Sequence, residues 1–474
     1  MSTEGITLQG LSVHDAEGRA LVEGVSATLA PGQPLVVIGE TGSGKSLVAQ
    51  ALMGLLPPGL CVAGTLQVPG VGRIALDDTA ALRGLWARET MLVPQEPAAA
   101  LDPTKRVGRL LALGAHGQGV AQALAAVDLA PEVADRHAFA LSGGMAQRVL
   151  VALALASPAR LVIADEPTKG LDAPRVAQVA ALLRGLLAAG RALLVITHDL
   201  ALAQALGGHV LVLRDGRVIE HGPAARVLRT PSHPYTADWL AALPQSWPPC
   251  EPCLTRDDLV LAAHGLSFGH RRAPRLFRDL DLHVPQGGVL ALTGPSGCGK
   301  TTLGNVLLGL QPPDAGEVSW AGADPYRDPK ARARLRQRYQ KLHQDPQGAF
   351  LPWRGIGQQL QDLRAVVPGL DLEAALPPLL DQLRLRPHLL ARRPAEVSGG
   401  EAQRLAIVRL LLLQPDLILA DEPTSRLDPI VQRETMRLLR QVVTARRIGL
   451  VLISHDPALV RAVADEVVAL GRVA

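Results

Sequence analysis

The chain has 474 residues, a length that predicts at least two domains. Apolar residues make up 48% of it and aromatic residues only 3%, so its cores must consist mostly of Ala, Leu and Val. The formal charge of +4 gives no electrostatic reason to expect nucleic acid as a partner. Four cysteines indicate a reducing compartment and no disulfide framework.

Neither a signal peptide nor a membrane-spanning helix is predicted. The first five residues lack the basic start and the apolar core of a signal peptide. The apolar runs 149–156 and 410–413 are much shorter than the ~18 to 20 residues that a spanning helix needs. We therefore expect these runs to be buried inside folded domains.

A phosphate loop is predicted near the N-terminus. The apolar stretch 35–38 is typical of a parallel strand buried on both faces, and a helix is predicted from 47 to 56. Between them the chain fits G-x-x-x-x-G-K-[ST], which in this context favours a phosphate loop over an ordinary glycine turn with a surface lysine. Backbone N–H groups would surround phosphate oxygens, Lys45 would add positive charge, and Ser46 would ligate Mg²⁺. The loop consists of Gly39, Glu40, Thr41, Gly42, Ser43, Gly44, Lys45 and Ser46.

Two carboxylates follow the predicted buried strand 161–164. Ligands of open α/β sheets lie at the carboxyl ends of strands, so we expect Asp165 to hold Mg²⁺ through its water shell and Glu166 to polarise the attacking water. A lone Asp-Glu pair at a strand end is often only solvated, and a lone strand-end histidine is often structural. Here Lys45 lies 120 residues before Asp165, and His198 ends the strand 193–197, where it can contact the terminal phosphate.

The same features return in the second half of the chain. Lys300 and Asp421 are 121 residues apart, and His455 lies 33 residues after Glu422, against 32 between Glu166 and His198. The phrase Leu-Ser-Gly-Gly-Met-Ala-Gln-Arg at 141–148 also returns, as Val-Ser-Gly-Gly-Glu-Ala-Gln-Arg at 397–404. The second phosphate loop consists of Gly294, Pro295, Ser296, Gly297, Cys298, Gly299, Lys300 and Thr301.

We therefore predict that the chain contains two copies of one domain. We expect a first domain at 1–240, a proline-rich linker at 241–258 and a second domain at 259–474. Strands at 210–213 and 218–220, joined at Asp215, are expected to close the first domain as a hairpin. Cys250 and Cys253 form a CxxC pair in the linker, which we interpret as two thiols rather than a zinc site, since a structural zinc needs four ligands.

With all these motifs in order, the chain resembles the ATP-binding-cassette (ABC) ATPases. The resemblance implies an α/β fold with two tandem ABC-type P-loop NTPase domains, each with a mainly parallel sheet core, an antiparallel β subdomain and a helical subdomain. It implies ATP and Mg²⁺ as cofactors. It identifies Gln95 and Gln344 as Q-loop residues that join Glu166, Glu422, His198 and His455 as catalytic residues. The implied Mg²⁺ ligands are Ser46, Gln95, Asp165, Thr301, Gln344 and Asp421.

The resemblance also implies two nucleotide sites, each formed by residues of both domains in a head-to-tail arrangement. Ser398 and Gly400 of the second repeated phrase would cover the ATP held by Lys45, and Ser142 and Gly144 of the first phrase would cover the ATP held by Lys300. The implied D-loops are residues 169–172 and 425–428, and Lys169 departs from the small residue that usually opens this loop.

The base-binding aromatic of the family is less evident. In the family this aromatic lies about 24 residues before the first glycine of the phosphate loop. That position is Asp15 in the first domain and His270 in the second, with His14 and Phe268 nearby. The first domain thus offers no aromatic for stacking and the second offers Phe268, and we expect weaker nucleotide affinity rather than lost activity.

Three segments resemble the ATPases of oligopeptide, dipeptide and nickel importers: 95–103, 344–350 and the His-Pro-Tyr-Thr phrase at 233–236. The resemblance implies the energy-coupling subunit of an importer for peptides, nickel or a metal chelate. It would lie on the cytoplasmic face of the inner membrane with two transmembrane permease subunits and, indirectly, a solute-binding protein. The alternatives are twin-cassette ATPases that act on ribosomes, which carry a long charged linker, and DNA-repair ATPases, which carry a coiled-coil or zinc insertion.

Overall fold

The computed structural model of the chain describes residues 5–40, 42–95, 97–114, 119–168, 173–250, 258–269, 275–295, 297–425 and 427–471. The chain divides into two compact units, Met1–Asp238 (unit one) and Trp239–Ala474 (unit two). Each unit contains one mainly parallel sheet, one antiparallel sheet and a set of helices, as the resemblance implied. Within the described ranges, no helix is both long and apolar enough to cross a bilayer.

Unit one contains two sheets. The four-stranded antiparallel sheet has the order β2-β1-β4-β5, and the six-stranded sheet has the order β10-β9-β3-β8-β7-β6. In the second sheet only β9 and β10 pair antiparallel, and they form the predicted hairpin. Every residue of β3, β7 and β8 is buried, as expected for parallel strands covered on both faces. The strands are β1 Ile6–His14, β2 Ala20–Leu29, β3 Pro34–Gly39, β4 Cys61–Val68, β5 Gly72–Ala75, β6 Thr90–Val93, β7 Leu161–Asp165, β8 Ala192–Ile196, β9 His209–Arg214 and β10 Arg217–Pro223.

The helices of the first half connect these strands, and α1, α6 and α7 are among those that contact the six-stranded sheet. The apolar side chains of α1 join the two sheets in one core, whereas α6 is buried along most of its length. The helices are α1 Lys45–Leu52, α2 Thr79–Gly84, α3 Pro97–Ala100, α4 Val107–Gly114, α5 Val120–Ala125, α6 Gly143–Ala156, α7 Ala173–Ala188, α8 Leu200–Leu206, α9 Ala224–Val227 and α10 Pro234–Ala241.

Unit two repeats this plan. Its five-stranded parallel sheet has the order β15-β16-β17-β13-β18, which matches the order of β6, β7, β8, β3 and β9 in unit one. A three-stranded antiparallel sheet, β12-β11-β14, accompanies it. The strands are β11 Leu259–Gly269, β12 Arg275–Pro285, β13 Val289–Thr293, β14 Ala315–Trp320, β15 Tyr339–Leu342, β16 Leu417–Asp421, β17 Gly449–Ile453 and β18 Glu466–Ala469. The helices are α11 Lys300–Leu307, α12 Pro329–Leu335, α13 Ile356–Gln361, α14 Leu372–Gln382, α15 Gly399–Leu412, α16 Pro429–Ala445 and α17 Pro457–Val463.

The first part of the predicted linker belongs to unit two. Trp247 lies against its helical core and donates from Nε1 to the carbonyl oxygen of Ala242 at 2.9 Å. The backbone N–H of Cys250 donates to the carbonyl oxygen of Arg461 at 3.0 Å, and its thiol lies 3.5 Å from a carboxylate oxygen of Asp465. Cys253 lies outside the described residues, and among those described no group of three or more His, Cys, Asp or Glu side chains is placed to hold a metal ion.

Candidate nucleotide sites

The two phosphate loops have the same local geometry. Each follows a buried interior strand of its sheet, β3 or β13, and ends where α1 or α11 begins. Lys45 Nζ donates to the carbonyl oxygens of Gly39 at 2.8 Å and Glu40 at 2.6 Å. Lys300 Nζ donates to those of Gly294 at 2.8 Å and Pro295 at 3.0 Å. Both ammonium groups are thus folded over their own loops, which places them where phosphate oxygens would take over these bonds.

The remaining residues of the loops form the backbone turn. The glycines before the two lysines, Gly44 and Gly299, are left-handed, with φ of 95° and 100°. Gly42 and Gly297 also have positive φ, a backbone conformation that anion-binding nests use. The side chains of Ser43 and Cys298 are buried beneath the loops. Thr41 and Ser296 lie outside the described residues.

Each loop hydroxyl faces the first carboxylate of the site. Ser46 Oγ donates to Asp165 Oδ1 at 3.3 Å, and Thr301 Oγ1 donates to Asp421 Oδ1 at 3.4 Å. A hydroxyl and a carboxylate supply the hard oxygen ligands that Mg²⁺ prefers, so both pairs fit this ion, directly or through water. When bound, Mg²⁺ neutralises charge on the phosphate oxygens.

The second carboxylate of each pair contacts a histidine. His198 Nδ1 lies 2.8 Å from Glu166 Oε2, and His455 Nδ1 lies 2.9 Å from Glu422 Oε1. Both glutamates have left-handed backbones, with φ of 47° and 48°. Strain of this kind concentrates at functional positions. The glutamate N–H groups donate to the last residues of the neighbouring strands, to Ile196 O at 2.8 Å and Ile453 O at 3.0 Å, which holds the strained backbone in place.

The histidines keep both glutamates ionised. Burial by itself raises the pKa of Glu166, but the hydrogen bond and charge of His198, together with the charge of Lys45, outweigh it and lower the pKa. In unit two, the hydrogen bond from His455 lowers the pKa of Glu422 against the effect of burial. Glu422 in turn raises the pKa of His455. Both glutamates are therefore anionic near neutral pH and can accept a hydrogen bond from water.

We expect His455 to titrate above the ordinary histidine value of 6.5, because protonation strengthens its bond to Glu422. NMR titration of histidine Cε1–H signals measures this, with His455→Asn to assign the resonance. Glu422→Gln should lower the pKa of His455, whereas Glu317→Gln, an exposed carboxylate on β14, should not. A His455 pKa that is indifferent to Glu422→Gln would contradict the ion pair.

The same pair makes the stability of unit two depend on pH. The raised pKa of His455 contributes stability that is complete below 6.5 and is lost as pH rises through the folded pKa. The lowered pKa of Glu422 contributes stability that is present above 4.5 and is lost as pH falls through its folded pKa. The pair therefore stabilises unit two fully between pH 4.5 and 6.5, and the stabilisation declines on either side of this window.

Gln344 joins this group in unit two. Its Nε2 donates to Glu422 Oε2 and to Ser425 Oγ, both at 3.3 Å. Gln95 follows β6 at the matching place in unit one, but in the described part of that unit no hydrogen bond links it to Glu166. Residues 169–172, the predicted first D-loop, lie outside the described residues, as does Arg426 in the second. Asp428 caps α16 by accepting from the N–H groups of Ile430 and Val431.

The repeated phrases form the N-termini of α6 and α15. Ser142 and Ser398 are the N-caps, and each hydroxyl accepts from a backbone N–H three residues on, at 3.3 Å. In unit two Glu401 completes a capping box, since its carboxylate accepts from Ser398 N at 2.9 Å. Met145 occupies this place in unit one. Gly144 and Gly400 lie in the first turns, where a Cβ on Gly400 would lie 2.4 Å from Val431 Cγ1.

Met145→Glu is expected to complete the missing capping box and to stabilise unit one by about 0.5 to 1 kcal/mol. Glu401→Met should weaken unit two by a similar amount, because it removes the carboxylate that accepts from Ser398 N. Scanning calorimetry should show shifts of about 1 to 4 °C in opposite directions. Equal melting temperatures in all three proteins would contradict the capping argument.

The predicted aromatic for adenine lies in the core. Phe268 is only 6% exposed and stacks on Phe277 with 6.1 Å between ring centroids, so it does not face a nucleotide. His14 is partly buried at the end of β1, and Asp15 Oδ1 accepts from the Arg19 N–H at 2.7 Å in a turn. His270 lies outside the described residues. Spacing along the chain suggested Phe268, and spacing alone could not show that its side chain points inward.

Sequence reasoning missed Lys341, whose Nζ lies 3.1 Å from Asp421 Oδ2. The signal that could have found it is the alignment of the two repeats on Gln95 and Gln344. That alignment places Leu92 opposite Lys341 and so shows a charge present in one unit only.

Comparison with known proteins identifies the family of the chain. The ABC transporter family model matches residues 22–169 and 277–425. The chain is 31% identical to a peptidoglycan transport ATP-binding protein, YejF, of Agrobacterium fabrum, over 98% of the chain and 90% of that protein. It is also 31% identical to the glutathione import ATP-binding protein GsiA of Escherichia coli, over 96% of the chain and 82% of that protein.

Among solved structures, the fold is similar to that of an archaeal ribosome recycling factor, aABCE1, crystallised with the stalk protein aP1. The TM-score is 0.65 at 22% identity, covering 97% of this chain and 87% of that one, a likeness that concerns the fold alone. The family model matches both repeats, and the two relatives align with nearly the whole chain, which shows the family to which it belongs. The chain belongs to the ABC transporter family, as an ATP-binding protein of importer type with two fused cassettes that hydrolyses ATP with Mg²⁺.

Proposed function

We propose that the chain couples ATP hydrolysis to the import of peptide-like solutes. The observation that carries the proposal is that both units keep a complete set of lysine, hydroxyl, carboxylate and histidine groups at nearly equal distances. Relatives named for peptidoglycan transport and glutathione import support peptide-like solutes over nickel or a metal chelate.

The site residues have assigned roles in this proposal. Lys45 and Lys300 release their loop carbonyls and bind phosphate oxygens, while the N–H groups of the loops surround them. Glu166 and Glu422 accept a hydrogen bond from the attacking water, and the histidines orient these carboxylates. Gln95 and Gln344 lie at the edge of each site, where they sense the nucleotide and meet the permeases.

Each nucleotide is covered by the repeated phrase of the other unit. Ser398 and Gly400 would close over the ATP on Lys45, and Ser142 and Gly144 over the ATP on Lys300. The support is the N-cap geometry of α6 and α15, whose first-turn N–H groups favour a negative charge. Because one chain carries both units, the pairing is intramolecular and profits from a high effective concentration.

The partners in this proposal are two transmembrane permease subunits on the cytoplasmic face of the inner membrane. A solute-binding protein acts indirectly, and no nucleic acid is expected. Purification of the full chain from its own cells, with mild detergent, tests this. Recovery of two multi-span permeases supports the importer, whereas recovery with ribosomes would support the second candidate, a twin-cassette ribosome factor like the one whose fold it shares.

The complex of the chain with its permeases, reconstituted in membranes, then tests which solute is transported. ATP turnover should rise when the binding protein is loaded with glutathione, a tripeptide or a peptidoglycan fragment. Stimulation by a nickel chelate instead would contradict the peptide assignment while keeping the importer.

A further inference from the structure

Ser425 and Glu422 together hold the side-chain amide of Gln344. Gln344 Nε2 donates to Ser425 Oγ and to Glu422 Oε2, both at 3.3 Å. Ser425 Oγ in turn donates to the carbonyl oxygen of Glu422 at 3.2 Å, and Ser425 N donates to the same oxygen at 3.3 Å. The three residues therefore form a closed ring of hydrogen bonds just beyond the carboxyl ends of β15 and β16.

This ring decides which end of the amide faces Glu422. A glutamate carboxylate is ionised near neutral pH, so its oxygens only accept hydrogen bonds. The hydroxyl proton of Ser425 is used by the carbonyl oxygen of Glu422, so the hydroxyl also faces Gln344 as an acceptor. Both neighbours thus require the N–H₂ group of Gln344, and its carbonyl oxygen Oε1 must point away from them.

Oε1 is the atom of Gln344 that can bind a metal ion. Carbonyl oxygens are hard ligands that suit Mg²⁺, whereas an amide N–H₂ group only donates hydrogen bonds. Because β15 and β16 pair in parallel, Gln344 follows its strand at the same edge of the sheet as Asp421. At that edge Asp421 Oδ1 faces Thr301 Oγ1 at 3.4 Å. A flipped amide would present N–H₂ to the ion in place of an oxygen.

We propose that Ser425 is a positioning residue of the site in unit two, which fixes the amide of Gln344 so that Oε1 is presented to Mg²⁺. This role of Ser425 rests on the proposed assignment of Gln344 and Asp421 to the Mg²⁺ site. Ser425 does not bind the ion itself, since its hydroxyl is engaged with Glu422 and Gln344. Residues that orient a metal ligand in this way affect metal affinity strongly.

The test measures metal binding without hydrolysis, in the full chain. Lys45→Ala disables the loop of unit one and leaves unit two as the working site. Electron paramagnetic resonance measures Mn²⁺ binding with a non-hydrolysable ATP analogue, and equilibrium dialysis measures ATP binding in EDTA. We expect Ser425→Ala to weaken Mn²⁺ binding about tenfold and to leave ATP binding in EDTA unchanged. An Mn²⁺ affinity equal to that of Lys45→Ala alone would overturn the proposal.

Conservative and distant variants control this measurement. Ser425→Thr keeps the accepting hydroxyl and should keep the Mn²⁺ affinity. Ser425→Cys keeps the size but accepts only weakly, so it should behave as Ser425→Ala does and replaces that variant should it not fold. Ser319→Ala removes a hydroxyl from β14 of the antiparallel sheet and should have no effect. Mn²⁺ binding and ATP binding in EDTA that fall together would show that Ser425 supports only the fold of the site, which would overturn its positioning role.

A double-mutant cycle separates the role of Ser425 from the assignment of the metal site. Gln344→Ala should weaken Mn²⁺ binding by itself, and Ser425→Ala should add nothing to it, because Ser425 acts through Gln344. A full effect of Ser425→Ala in the Gln344→Ala background would overturn the role of Ser425 and keep the assignment. If Gln344→Ala leaves Mn²⁺ binding unchanged, both fail, and weaker Mn²⁺ binding in Asp421→Asn would then keep the metal site itself.

Discussion

Replacing both Glu166 and Glu422 by glutamine is expected to reduce ATP turnover by roughly 10²- to 10⁴-fold while ATP stays bound. Both carboxylates are anionic, lie at the ends of β7 and β16, and are oriented by a histidine. Glutamine has nearly the same shape but is a far weaker base, so it cannot polarise water to the same degree. Phosphate release measures turnover, and equilibrium dialysis measures retained ATP.

Single variants and a distant carboxylate control this experiment. Glu166→Gln and Glu422→Gln should each impair one site, and the difference between them would show whether the two sites turn over equally. Glu317→Gln, whose carboxylate pairs with Arg327 on the surface, should leave turnover unchanged. Substantial turnover in the double variant would show that another group polarises the water.

The parts of the site that lie in one continuous motif could be predicted from the sequence. The phosphate loops need glycines, a lysine and a hydroxyl at fixed spacing, and the strands before them are continuous apolar runs. The repeat also predicts that both units share one fold, and the structure gives the same order of parallel strands in both. Such features depend on local sequence, so a single chain is enough to predict them.

Other parts depend on tertiary register and could not be predicted. Alignment of the repeats shows a charge at Lys341 where unit one has Leu92, but the contact of Lys341 with Asp421 follows only from the pairing of β15 with β16. The left-handed backbone of Glu166 and Glu422 is a consequence of how each strand end meets its neighbour. The interpretation of Phe268 as a base-binding aromatic was wrong for the same reason. Its spacing fits that role, but in the pairing of β11 with β12 its side chain points into the core and stacks on Phe277.

Gly39→Ala is expected to destabilise unit one by about 3 kcal/mol and to abolish ATP binding there. A Cβ at this position would lie 2.1 Å from the carbonyl oxygen of Leu213 and 2.9 Å from Ser43 Oγ. The first neighbour is backbone of β9, which cannot move without breaking its pairing with β3. Gly294→Ala should do the same in unit two, where the Cβ would lie 2.4 Å from Leu470 O. Calorimetry should record a fall of about 5 to 12 °C in the melting temperature.

The matched control is Gly84→Ala at the end of α2, where a Cβ meets nothing within 4 Å. It should change stability by less than about 0.5 kcal/mol and leave ATP binding intact. ATP binding at the other unit separates a local effect from general unfolding, since Gly39→Ala leaves the loop at 294–301 unchanged. A Gly39→Ala protein that keeps both its melting temperature and its ATP would show that the loop can move away from β9. In that case the close approach of loop and strand would not be what holds the phosphate site in place.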